Sequence, residues 1–114
     1  MKYEKPITQN IKQRANTIYS FMRSNRRFCT KDELMQASGC TNERSVRDVI
    51  NLLRNMGYCI VSVSDRKGYY LALTANDIEL VEHAWKETDK RVQELESMKS
   101  CFVKFYDEMR CNNG

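Results

Sequence analysis

Between Asn42 and Asp48 the chain gathers six polar side chains: Asn42, Glu43, Arg44, Ser45, Arg47 and Asp48. All can hydrogen-bond, and two carry guanidinium groups. On the first turns of a helix, residues of this kind can reach the base edges in a DNA major groove. A second basic pair, Arg66 and Lys67, lies in Ser64-Asp-Arg-Lys-Gly68, which is a turn by composition. At the tip of a hairpin that pair suits contact with phosphates or the minor groove. Both groups would also serve as ordinary solvated faces, so the elements that carry them decide their meaning.

Other chemistries lack their residues. The chain has no nucleophile elbow and no phosphate-cradling glycine run, and its one histidine, His83, has no cysteine near it. The five cysteines, Cys29, Cys40, Cys59, Cys101 and Cys111, are odd in number and never two residues apart. They read as reduced thiols used as small apolar side chains rather than zinc ligands or a redox pair. Carboxylate pairs such as Glu79 and Glu82 fall on a strongly charged helix, where solvation explains them. The expectation is no enzyme activity, no metal and no cofactor.

Apolar spacing supplies the positioning elements. Pro6 can open a helix whose stripe is Ile7, Ile11, Ala15, Ile18 and Met22, running to about Asn25. Arg23, Arg26 and Arg27 at its end either complement the helix dipole or contact phosphate. Thr30-Lys-Asp-Glu33 is a capping box that starts a short second helix, with Leu34 and Ala37 inward and Gly39 as its exit. Thr41 or Asn42 caps a third helix with Val46, Val49, Ile50 and Leu53 on its buried face, stopped by Gly57. Ile60 to Val63 and Tyr69 to Leu73 read as two strands of a hairpin with Arg66 and Lys67 at its tip. Thr74-Ala-Asn-Asp77 resembles a second capping box, and no Gly or Pro follows until Gly114.

That last stretch predicts a helix of some thirty residues. Ile78, Val81, Trp85, Thr88, Val92, Leu95, Lys99, Phe102, Tyr106 and Met109 alternate by three and four, with Met98 able to stand in for Lys99. Such a repeat favours a coiled-coil seam, most simply a homodimer through residues 75–109; the alternative is a helix folded back along Ile11 and Ile18. The fold class is therefore mainly α with a small β-hairpin and a long C-terminal helix. Residues 1–73 form the globular domain and residues 74–114 the oligomerisation helix.

Charge divides the chain at the same place. Residues 1–73 hold thirteen Lys and Arg against six Asp and Glu, and residues 74–114 hold six against nine, within a net charge of +4. The first part suits a polyanion and the second another role. No apolar run approaches the roughly 18 residues needed to span a membrane, and Met1–Ile7 lacks the apolar stretch of a signal peptide. A cytoplasmic protein is expected.

The run Ser45-Val-Arg-Asp-Val-Ile-Asn-Leu-Leu-Arg-Asn-Met-Gly-Tyr58, with Ile60-Val-Ser and Gly68-Tyr-Tyr-Leu71, resembles the winged helix-turn-helix DNA-binding domain of the biotin operon repressor. It is also similar to small winged-helix proteins of bacteriophages and prophages, in which a long charged helix follows the wing. The resemblance covers Thr30 to Leu73. Its turn from Gly39 to Val46 is one residue longer than the common form, which can offset the DNA-facing side chains by one. Glu43 stands where a basic or small residue is common, and either caps the helix or accepts from a cytosine amino group.

The resemblance implies that Asn42, Arg44, Ser45 and Arg47 face the major groove, with Arg44 and Arg47 suited to guanine. It implies that Arg66 and Lys67 serve the wing and that Tyr69 or Tyr70 bonds a phosphate, the other packing inward. Asn51 and Arg54 fall to surface or backbone contacts. The expected function is sequence-specific binding of double-stranded DNA by a homodimeric transcriptional regulator in a bacterial host cell. The competing expectation is a protein–protein adaptor that docks a host or phage protein on the winged domain or the long helix.

Overall fold

The structure is a computed structural model that describes residues 9–113. Pro6 and Ile7, expected to begin the first helix, lie outside the described residues. Helix α1 spans Gln9–Ser24, α2 Lys31–Ser38 and α3 Glu43–Asn55; strands β1 (Ile60–Val63) and β2 (Arg66–Leu71) form an antiparallel hairpin. A 3-10 turn, Ala75–Asp77, leads into α4, Ile78–Asn113. The chain is thus mainly helical, with one hairpin and one long C-terminal helix.

Local chemistry sets the helix ends. The Thr30 hydroxyl accepts from the Glu33 amide at 3.2 Å while the Thr30 amide donates to the Glu33 carboxylate at 2.9 Å, which completes the capping box. Gly39 leaves α2 in the left-handed conformation at φ 78°. Of the two candidates for capping α3, Asn42 does so: its Oδ1 accepts from the Ser45 amide at 2.8 Å.

Ala15, Ile18 and Met22 of α1, Leu34 of α2, and Val46, Val49, Ile50 and Leu53 of α3 close one core, joined by Ile60, Leu71, Cys29 and Cys40. Only Cys29 and Cys40 act as buried apolar thiols; Cys59, Cys101 and Cys111 are exposed, contrary to the uniform expectation. Val61 and Val63, on the other face of β1 from Ile60, are also buried, where α4 packs along that strand. The long helix therefore docks on the hairpin rather than folding back along α1.

The hairpin departs from expectation at its tip. The turn is Ser64–Asp65 alone, and Arg66 and Lys67 already belong to β2. Pairing runs Ile60 with Leu71 and Val61 with Tyr70, then shifts so that Val63 meets Arg66. The shift is a β-bulge, and Gly68, at φ 93°, lies within it. Composition marked Gly68 as a turn residue because bulges and turns both draw on its left-handed freedom.

The bulge frees Tyr69 to pair elsewhere. Its backbone exchanges two hydrogen bonds with Cys29, at 2.8 and 2.9 Å, so the segment between α1 and α2 acts as a minimal third strand. A methyl group on Gly68 would collide with the Cys29 carbonyl. No helix among the described residues is long and apolar enough to cross a membrane.

Candidate nucleic-acid interface

Arg44 and Arg47 stand exposed on the first turns of α3, and the Arg47 charge also acts on Glu43. Asn42 and Ser45 are there too, but their capping bond already occupies the Asn42 carbonyl oxygen; only the amide NH2 remains to donate. Glu43 neither caps α3 nor stands free. Its carboxylate takes Lys31 at 2.7 Å, and that contact holds its pKa below the usual carboxylate range.

Lys31 is the residue that sequence reasoning missed. It opens α2, and beside Glu43 it reaches the start of α3. On its other side it lines an open concavity of about 580 Å³ together with Thr30, Ser62, Arg66, Lys67 and Tyr69. Lys31 therefore brings the start of α3, through its ion pair with Glu43, next to the hairpin residues that line the concavity. Its place at a helix start was legible. The arrival of β2 beside it depends on the bridge between Cys29 and Tyr69, which no local pattern announces.

The hairpin residues fill distinct roles. Arg66 stacks over the Phe28 ring at 4.4 Å and stays exposed, a cation–π contact that orients its guanidinium without neutralising it. Lys67 is exposed. Tyr69 is half-buried against the core and opens on the concavity. Tyr70 is committed elsewhere: its hydroxyl donates to Asp77 at 2.8 Å and its ring meets Phe28 at 5.4 Å between centroids.

The arginines at the end of α1 are also accounted for. Arg27 clasps Glu33 through two hydrogen bonds of 2.9 and 2.7 Å, which lower the Glu33 pKa to about 2 with help from the Thr30 cap. Arg26 bonds the buried Asp77 at 3.3 Å, and Arg23 donates to the Tyr19 hydroxyl at 3.1 Å. Arg54 holds the Ile60 carbonyl with two bonds, at 2.9 and 2.8 Å, tying the end of α3 to β1. Arg44 and Arg47 of α3 and Arg66 and Lys67 of β2 remain exposed, with Lys31 paired to Glu43 between them.

Potential metal ligands meet once among the described residues. Asp65, His83 and Glu87 bring their ligand atoms within 4.8 Å of one another. The Ser64 amide and hydroxyl donate to the two Glu87 oxygens at 3.0 and 2.6 Å, which makes the group a clasp between hairpin turn and α4. No protein-family model, curated protein or solved structure matches this chain.

Proposed function

We propose that this chain is a winged helix-turn-helix protein that binds double-stranded DNA sequence-specifically. In this reading it regulates transcription as a homodimer in the cytoplasm of a bacterial host cell and performs no catalysis. The hairpin is the wing and α3 the recognition helix. One observation carries the reading: the Lys31–Glu43 ion pair sets the start of α3, which bears the exposed Arg44 and Arg47, beside the concavity that Arg66 and Lys67 line, while Arg26, Arg27 and Arg54 are tied into the fold. Exposed guanidinium forks at a helix start suit guanine edges, and the cations flanking them suit phosphates.

Fluorescence anisotropy with a labelled duplex pool, at several salt concentrations, tests this. The expected result is tight binding that weakens steeply with salt. Arg44→Ala with Arg47→Ala should remove sequence preference, each contact being worth about 1–3 kcal/mol of discrimination. Arg66→Ala with Lys67→Ala should weaken all sequences alike, and Lys31→Ala should reduce the salt slope by about 1. Equal loss for every sequence in both double variants would sink the groove assignment. No binding even at low salt would favour the adaptor reading, for which the exposed apolar face of α4 is the supporting observation.

A further inference from the structure

Beyond the hairpin, α4 stands clear of the rest of the chain, and its apolar side chains have no cover. Trp85, Phe102 and Phe105 are 69, 64 and 65% exposed, and Val92, Leu95 and Tyr106 lie open between and beside them. We infer that this face pairs with α4 of a second copy, antiparallel, in the register that sets Lys99 opposite the partner's Thr88. The inference rests on the homodimer reading above and adds its geometry.

Three features select that arrangement. The three-four stripe contains two polar positions, Thr88 and Lys99. A parallel pair places every residue beside its own twin, so two lysines would face each other in the seam. An antiparallel pair centred between Gln93 and Glu94 matches the two polar positions with each other and Val92 with the partner's Leu95. Sliding it one heptad either way would put Lys99 against the partner's Leu95 or the partner's Val81.

Charge agrees. In the antiparallel register the partner's Asp89, exposed and next to Thr88, lies on the side where Lys99 emerges. In a parallel pair the flanking side chain beside Lys99 is the partner's Met98, which offers no counter-charge.

Shape agrees as well. Near the globular part the hairpin already covers the Leu80 and Ala84 side of α4, leaving a narrow stripe of Ile78, Trp85 and Val92. Towards the C-terminus the face is much wider, because Met98, Val103 and Phe105 flank the stripe. Laid antiparallel, the wide part of one helix meets the narrow part of the other. Phe105 then falls opposite the partner's Ala84, a large residue against a small one at the hairpin's edge. The side chains involved would bury on the order of 700–800 Å² per copy, about the size of a standard stable interface.

Antiparallel pairing puts the two globular parts on opposite halves of the paired helices; because each hairpin sits on α4 near Leu80 to Glu87, their attachment points are roughly 30 Å apart at 1.5 Å per residue.

The test is pulsed dipolar spectroscopy on the full-length chain carrying Cys59→Ser and Cys101→Ser, spin-labelled at Cys111, with light scattering on the same sample. All three cysteines are exposed, so neither substitution disturbs the core. The expected result is a dimer with a distance near 50 Å between labels. A companion chain labelled at Ser97→Cys, with Cys111→Ser added, should give a distance below about 20 Å, because that position lies close to the dyad. A dimer with short distances at both sites overturns the antiparallel arrangement and leaves the homodimer standing. A monomer by light scattering overturns both.

Discussion

Gly68 shows how much rests on one residue without a side chain. Its positive φ lets β2 bulge, and its bare Cα admits the Cys29 carbonyl that bonds the Tyr69 amide. Gly68→Ala combines backbone strain with a collision against main chain, so the fold should lose about 2–4 kcal/mol. Urea unfolding of the purified variant measures this; an unchanged midpoint would remove the bulge from its structural role. Asp77 is the polar counterpart. Only 8% exposed, it accepts from Tyr70, Arg26 and the amides of Leu73 and Thr74. Asp77→Asn should cost about 1–3 kcal/mol, because an amide cannot replace a carboxylate that accepts from four donors.

The carboxylates of Glu33, Asp77, Glu43 and Glu87 all titrate below their ordinary values in the folded chain: Glu33 through Arg27, Asp77 through the Leu73 amide, Glu43 through Lys31 and Glu87 through Ser64. With Glu33 at about 2 against an ordinary 4.5, the unfolded chain binds more protons in that interval. Stability present above about pH 4.5 should therefore fall as the pH drops towards 2, and thermal melts across this range would follow it. Melting temperatures flat over the window would contradict these pairings.

At the scale of elements, the hairpin is held from three directions. Arg54 ties β1 to α3, the Cys29 bridge ties β2 to the start of α2, and Ser64 ties the turn to Glu87 of α4. Glu87→Ala should loosen the turn while leaving the three-helix core intact. Amide hydrogen exchange should accelerate at Ser64, whose amide donates to Glu87, and stay slow in α3. Uniform acceleration would mean that the clasp supports the whole fold. The helices themselves were legible residue by residue, since Thr30, Gly39, Val46, Val49, Ile50 and Leu53 act through spacing and capping alone. The hairpin was half legible: β-branched Ile60 to Val63 marked β1, but the bulge gave β2 an earlier start than composition implied.

The whole molecule is elongated. Its radius of gyration is 18.2 Å, against about 13 Å for a compact chain of this length, and α4 supplies the difference. A chain cut after Lys90 keeps Asp77 and the Glu87 clasp and loses most of the exposed seam. It should retain its melting temperature at low concentration and be monomeric by light scattering, whereas the full chain should dimerise; a dimer after this cut would place the interface elsewhere. A chain cut after Leu73 also loses Asp77 and the helix that covers Val61 and Val63, so its melting temperature should fall.

By itself the sequence determined the helices, the Thr30 capping box, the buried stripe of α3, the three-four apolar pattern of α4 and the polar start of α3. Each depends on residues within a turn or two of one another, whose physics is local. The tertiary structure alone decided that Lys31 brings the start of α3 next to the hairpin, that Arg26 and Arg27 serve Asp77 and Glu33, and that Tyr70 is committed to Asp77. It also decided that α4 lies on β1. These contacts bring together residues that meet only after the core has set the angles between elements, and no spacing along the chain encodes those angles.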